Sequence, residues 1–222
     1  MDEIRIIQVR QSVFEDNNAD AERLRRQLKE EKTFLVNLMS SPGSGKTSTL
    51  LALAERLRGR LRMAVMEADI DSAVDAEAMK GAGVKTIQIH TGGMCHLDAD
   101  MTRQGLQSLG TDDAELVVLE NVGNLVCPAE FDTGAAKNIT ILSVPEGHDK
   151  PLKYPLMYEV SSLLVINKTD VLPYFDFDMD KAVEYARMRN PEIEVIAVSA
   201  KTGEGMDRLA QWFIEQTEKW NS

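Results

Sequence analysis

Aromatic residues make up 5% of the 222-residue chain, cysteine occurs twice and histidine three times. Two cysteines cannot build a disulfide framework. A chain of this length buries roughly 70% of the surface its unfolded form exposes, so 43% apolar residues can fill a core without disulfides or structural metal. There is no signal-like apolar segment at the start, so the thiols are expected to be reduced in a cytoplasmic protein. No apolar run reaches the ~18–20 residues that a membrane helix requires. Positive charge is also short: 25 lysines and arginines face 36 aspartates and glutamates, a net charge of −11. Such a surplus repels phosphate backbones and anionic lipid, so nucleic acid and membrane surfaces are not expected partners, and a bound anion needs a local site. Internal repeats, low-complexity tracts and Gly/Ser linkers are lacking, which predicts one continuous domain over residues 1–222.

In what is present, residues 16–32 are charged but carry Ala21, Leu24 and Leu28 at helical spacing. This predicts an N-terminal helix, the main part of an extension over about residues 1–32. Short apolar runs of strand composition follow at 34–39, 62–66, 86–90, 116–119, 139–144, 163–166 and 195–198, with helical patterns including 47–57, 97–109, 181–189 and 205–219. Strands alternating with helices predict an α/β fold: a mainly parallel sheet with helices on both faces and binding at the carboxyl ends of its strands.

The run at 34–39 leads straight into Ser40-Ser41-Pro42-Gly43-Ser44-Gly45-Lys46-Thr47-Ser48 and then a helical pattern. This is a P-loop in its strand–loop–helix context. Gly43 and Gly45 let backbone N–H groups, Ser44 among them, cradle phosphates at a positive helix end; Lys46 reaches the outer phosphates, and the Thr47 hydroxyl suits Mg²⁺. Ser40 stands where the usual pattern has its first glycine. The base is selected elsewhere, by Asn167-Lys168-Thr169-Asp170 after the run at 163–166. The Asp170 carboxylate can accept from the guanine ring N–H and amino group together, a pair that adenine lacks, while Asn167 tethers the loop and the Lys168 stem covers the ring. Ser199-Ala200-Lys201 follows another strand and matches the last base-contacting loop of GTPases, with the Ala200 N–H facing the guanine oxygen. GTP and GDP are therefore the expected ligands.

The run at 116–119 ends in Glu120-Asn121-Val122-Gly123, where most GTPases have Asp-x-x-Gly. Glu120 is placed to hold Mg²⁺ through water, and the Gly123 N–H to sense the γ-phosphate, so this segment is expected to move when the phosphate leaves. Cys127 lies four residues beyond Gly123, so a ligand there would be coupled to nucleotide state. Asp69, Asp71 and Asp75 suit a first switch that orients the attacking water, Asp69 or Asp75 in particular; such acids also suit a helix start. Thr91-Gly92-Gly93-Met94-Cys95-His96 sits between a strand and a helix, and two glycines permit the irregular backbone that lets neighbouring ligands converge. A soft set of Cys95, His96 and Cys127 suits Zn²⁺, Ni²⁺ or Cu⁺ far better than Mg²⁺. The same residues also fit ordinary buried cysteines and a helix-capping histidine.

Taken together, these segments resemble one family, the hydrogenase maturation GTPase HypB, a nickel-insertion protein of the P-loop branch that also includes nitrogenase iron protein and the urease GTPase. The resemblance spans most of the chain. It rests on Ser41 to Thr47, on Thr91-Gly92 with Cys95-His96-Leu97-Asp98-Ala99, and on Glu120 to Pro128. Two further stretches, Asp149-Lys150-Pro151-Leu152-Lys153-Tyr154-Pro155 and Asn167 to Asp170, complete it. It implies a GTPase that couples GTP hydrolysis to nickel delivery during [NiFe]-hydrogenase maturation, working with nickel-donor and other maturation proteins and the hydrogenase large-subunit precursor. It also implies that Cys95, His96 and Cys127 bind Ni²⁺ or Zn²⁺ between two subunits joined in the GTP state, with Lys153 reaching the partner's nucleotide. Tyr174, Phe175 and Phe177 would form a dimer or partner surface if exposed, and peripheral core if not. Residues 1–32 lack the cysteine-rich or histidine-rich tract of many members, which argues against tight nickel storage, and His148, in a stretch expected to be acidic, is either a spare ligand or an exposed side chain. Urease-type nickel delivery, a P-loop small-molecule kinase and a zinc-buffering GTP-binding module are the rival readings.

Overall fold

In a computed structural model, residues 6–8, 17–69 and 74–222 are described, with side chains at 17–68 and 78–222. The elements run β1 (Ile6–Gln8), α1 (Asn17–Glu30), β2 (Phe34–Ser40), α2 (Lys46–Leu57), β3 (Met63–Asp69), α3 (Val74–Gly81), β4 (Lys85–His90), α4 (Ala99–Leu109) and β5 (Leu116–Glu120). They continue with α5 (Cys127–Glu130), β6 (Lys137–Ser143), α6 (Lys150–Lys153), α7 (Pro155–Glu159), β7 (Leu163–Asn167), α8 (Met179–Arg189), β8 (Glu194–Ala197) and α9 (Met206–Asn221). The described strands form one sheet in the order β1-β4-β3-β5-β2-β6-β7-β8, and every neighbouring pair is parallel.

All seven strand runs expected from composition are strands. The short edge strand β1 and the helix α3 carry no periodic pattern strong enough to stand out in the sequence. β3 also extends past the apolar run, because Glu67 continues its ladder as partner of Glu120 on β5 and Gln88 on β4. A composition-based reading stops at such an acid, whereas a parallel ladder needs only backbone groups.

Alternate strand residues feed opposite faces of the sheet. Val36, Leu38, Val65, Val118 and Ile141 pack beneath Leu50 and Leu53 of α2 and Leu209 and Phe213 of α9. On the other face, Leu35, Met66, Ile89 and Val117 meet Leu24 and Leu28 of α1 and Met101 and Leu106 of α4. Beside that second layer, Leu142, Leu164 and Ile166 pack against Met157 and Tyr158 of α7 and Ala182 and Ala186 of α8. A strand buried on both faces has no polar side to show, which is why β5 and β7 read as continuous apolar runs. The central β2 has β5 on one side and β6 on the other. Its carboxyl end therefore opens at a reversal of strand order, where open α/β sheets bind ligands.

Candidate functional site

At the end of β2 the chain turns through Gly43 (φ 74°) and Gly45 (φ 95°) into α2. Gly45 has no room for a side chain, since an added Cβ would lie 2.6 Å from Asn167 Nδ2. Ser40 and Ser44 are buried, with the Ser44 hydroxyl donating to Ser40 Oγ at 2.6 Å. Lys46 Nζ also donates to Ser40 Oγ, at 3.1 Å, and lies 4.0 Å from Glu120 Oε1. The serine that replaces glycine thus anchors the P-loop lysine; the departure was visible in the sequence, but its use was not. Ser41 Oγ donates to Glu146, which also accepts from the Ser143 N–H, so the loop is tied to the end of β6.

The two loops expected to select the base meet the P-loop at the same edge. Asn167 Nδ2 donates to the Ser44 carbonyl at 3.0 Å, and Asn167 Oδ1 accepts from the N–H groups of Lys168 (2.8 Å) and Ala200 (3.2 Å). One side chain therefore fixes three segments distant in sequence. Lys168 adopts a left-handed backbone (φ 63°) and its ammonium donates to the Gly43 carbonyl at 2.7 Å. Ser199 Oγ donates to Asp170 Oδ1 at 2.7 Å, orienting that carboxylate. Gly45, Ser48, Asn167, Lys168, Asp170, Val171, Ala200 and Lys201 line a cavity of ≈ 220 Å³, which takes in the expected base contacts.

Glu120 ends β5 beside α2, with Thr47 Oγ1 3.4 Å from its Oε1. Thr47 and Glu120 present hard oxygen donors at the phosphate loop, a set that fits Mg²⁺. Behind them runs a polar ladder that the motifs did not reveal: Asn121 Nδ2 donates to Asn37 Oδ1 (2.9 Å), Asn37 Nδ2 to Asn138 Oδ1 (3.0 Å), and Asn138 Nδ2 to the Val160 carbonyl (3.3 Å). Its only sequence signal is asparagine within apolar strands. Gly123 lies against the P-loop, where an added Cβ would sit 3.1–3.3 Å from Pro42. The Asp69 and Asp75 side chains and the whole of Asp71 lie outside the described residues.

The segment from Gly123 leads to Asn124, whose Oδ1 accepts from the N–H groups of Val126 (2.7 Å) and Cys127 (3.2 Å) at the start of α5. Cys127 there meets Cys95 from the loop after β4: the Cys95 thiol donates to Cys127 Sγ at 2.8 Å, and both cysteines are free. The neighbouring sulfur and then burial push the Cys127 thiol above its ordinary range. Gly92 and Gly93 have φ of 65° and 93°, the irregular backbone expected there. His96 is buried and stacks on Phe131 with ring centroids 3.7 Å apart. Burial lowers its pKa against the pull of Asp98 and Glu130, which leaves a neutral imidazole whose Nε2 has no hydrogen-bond partner among the described residues. Among the described residues, no three histidine, cysteine, aspartate or glutamate side chains form a group able to hold a metal ion. Within one chain the thiols converge, and His96 does not join them.

The remaining candidates lie apart from the base cavity. Lys153 is exposed and ion-paired with Asp149 at 2.6 Å, a contact that raises its own pKa and lowers that of Asp149. His148 is half-buried: its Nδ1 accepts from the Asp178 N–H at 3.2 Å and its ring meets Phe177 edge-on. Tyr174 is 81% and Phe175 46% exposed, so those two form surface and Phe177 packs as periphery of the core.

Residues 34–197 match the family described as CobW/HypB/UreG, nucleotide-binding domain. The chain is 45% identical over 216 residues to hydrogenase maturation factor HypB of Escherichia coli K12, covering 97% of this chain and 74% of that protein. Among solved structures, HypB from Helicobacter pylori in complex with nickel matches with a TM-score of 0.86 at 34% identity, over 93% of this chain and 98% of that one. HypB from Archaeoglobus fulgidus matches with a TM-score of 0.84 at 35% identity, over 91% and 98%.

Proposed function

This chain belongs to the HypB members of the CobW/HypB/UreG family, and from that premise we propose that it is a GTP-hydrolysing metallochaperone serving nickel delivery in [NiFe]-hydrogenase maturation. The observation that carries the proposal is the eight-residue path from Glu120 at the phosphate loop to Cys127 at the thiol pair. A change felt at the phosphates is transmitted to a soft donor without crossing another element.

In this reading Gly43, Ser44, Gly45 and Ser48 cradle the nucleotide phosphates, and Lys46 leaves Ser40 to meet the charge that develops on them. Asn167, Lys168, Asp170, Ser199, Ala200 and Lys201 hold guanine. Thr47 with Glu120 would hold Mg²⁺, which would supply neutralisation of phosphate charge. Asp69 or Asp75 orients the attacking water. Nickel is cargo, taken by thiolates of Cys95 and Cys127 and the neutral imidazole of His96; Zn²⁺ accepts the same donors. Because one chain brings only the thiols together, the full ligand set is completed in a GTP-dependent homodimer, in which Lys153 exchanges Asp149 for the partner's nucleotide. We place the chain in the cytoplasm as a single GTPase domain with an N-terminal helical extension, acting with nickel-donor and maturation proteins and the hydrogenase large-subunit precursor.

The test is competitive titration of Ni²⁺ and Zn²⁺ in GDP and in a non-hydrolysable GTP analogue, with molecular mass recorded in each state. Nickel affinity or stoichiometry that depends on the nucleotide and vanishes in Cys95→Ala/Cys127→Ala supports the cycle. Metal binding indifferent to both rejects it.

A further inference from the structure

We infer that Glu67, which no nucleotide motif includes, is a positioning residue for the magnesium site: from beside Glu120 it accepts from, and so orients, the water shell of the cation. The inference rests on the GTPase reading above. Glu67 on β3 is the register partner of Glu120 on β5 and of Gln88 on β4, and register partners in a parallel sheet project from the same face. That face is the one beneath α2, since Val65 and Val118, two positions back on the same strands, pack there against Leu50 and Leu53. Glu67 is 3% exposed, Glu120 6% and Gln88 0%. Strands lie ~4.8 Å apart, so two buried carboxylates stand side by side, the Glu120 one facing Thr47 and Lys46.

Carboxylates so placed repel each other and require cations or donors around them. Lys46 Nζ lies 4.0 Å from Glu120 Oε1 and supplies positive charge to it. Phosphates in the P-loop draw that ammonium toward themselves, and a cation held at Thr47 and Glu120 would stand beside the acid pair. Mg²⁺ retains several of its waters when bound by one or two protein ligands, and water O–H groups are donors that a carboxylate one layer back can accept. Gln88 provides a separate sign that this layer is built for polar company. Its side chain is fully buried, and neither its amide oxygen nor its amide nitrogen has a hydrogen-bond partner among the described residues. Standing on the far side of Glu67 from Glu120, it is placed to restrain the Glu67 carboxylate.

The experiment measures release of labelled GDP from the full chain across a Mg²⁺ titration, with GTP hydrolysis followed over the same range. In the wild type, Mg²⁺ slows release with a defined midpoint. In Glu67→Gln, which keeps shape and removes charge, that midpoint is expected to rise roughly ten- to hundredfold, the range for loss of an outer partner of a metal site. Gln88→Leu is expected to move it the same way by less. A Glu67 that serves packing alone would change release with and without Mg²⁺ by the same factor, leaving the midpoint unmoved, and that result overturns the inference. If Glu67→Gln does not fold, Glu67→Asp, with the carboxylate on a shorter stem, carries the same readout and the same criterion. A wild-type chain with no Mg²⁺-dependent retention or hydrolysis would instead reject the GTPase reading itself.

Discussion

In the proposed nucleotide site one carboxylate, Asp170, steadied by the Ser199 hydroxyl at 2.7 Å, is the group that selects the base. Guanine offers it two donors, whereas xanthine carries an oxygen in place of the amino group. Asp170→Asn is therefore expected to weaken GTP by about 1.5–3 kcal/mol, the worth of hydrogen bonds to a charged group, and to shift preference toward xanthosine triphosphate; equilibrium binding of both nucleotides checks this. The thiols give a second prediction. Cys127 is raised first by its bond with the Cys95 sulfur and then by burial, so alkylation of Cys127 in the metal-free protein should reach half its maximal rate above the ~8.5 of a free cysteine. Cys95→Ala removes the leading cause and should bring that midpoint down toward the ordinary value; mass-resolved alkylation across pH 7 to about 10 would show an unchanged midpoint if the sulfur contact were immaterial. Lys46, Asn167, Asp170 and Cys127 were legible as candidates because their roles depend on residue type and spacing. The Ser40 anchor was not, since a hydroxyl has no signature until a lysine is folded back onto it.

Two elements control how the site is braced. The stretch from Glu120 through Gly123 is held against the P-loop by close approach, and Gly123→Ala would place a Cβ 3.1–3.3 Å from Pro42. Overpacking of this kind costs about 1–3 kcal/mol. The variant is expected to lower kcat for GTP more than it lowers GDP affinity, because the segment is asked to reach the γ-phosphate only in the triphosphate state; parallel losses in both would count against a switch role. The first helix braces the loop of Cys95 and His96 from the other side. Asn17 Oδ1 accepts from the Ala99 N–H at the start of α4, Asn17 Nδ2 donates to the Asp132 carbonyl, and Arg25 pairs with Asp132 and the Ala135 carbonyl. Asn17→Ala should cost about 0.5–1.5 kcal/mol per bond lost, read by urea denaturation, and should loosen the His96–Phe131 stack that these contacts flank. Helix periodicity announced α1 through Ala21, Leu24 and Leu28. It said nothing of Asn17, whose two partners lie 82 and 115 residues away.

For the molecule as a whole, the proposed function is a coupling free energy between a nucleotide site and a thiol pair. Such couplings are about 1–3 kcal/mol, or roughly 5- to 150-fold, and they are reciprocal. Whatever factor a GTP analogue imposes on Ni²⁺ affinity, Ni²⁺ must impose on analogue affinity relative to the metal-free chain; two calorimetric titrations that disagree beyond error would show that a third process, such as dimerisation, has been left out of the cycle. The sequence by itself determined the parallel α/β architecture and the nucleotide loop, and it supplied the candidates for the guanine contacts and the soft donors, because each follows from local order: apolar runs between helical patterns, glycines ahead of Lys46, and residue types matched to a base or a metal. Only tertiary structure decided what those parts do together. Parallel register set Glu67 beside Glu120, Asn167 drew together the P-loop and the loop at Ala200, and the chain's turn after Gly123 carried Cys127 to Cys95 while leaving His96 on Phe131. The physical reason is distance along the chain: patterns of period two or 3.6 report what a residue's neighbours are, whereas a contact across tens of residues exists only once the sheet has closed the loop between them.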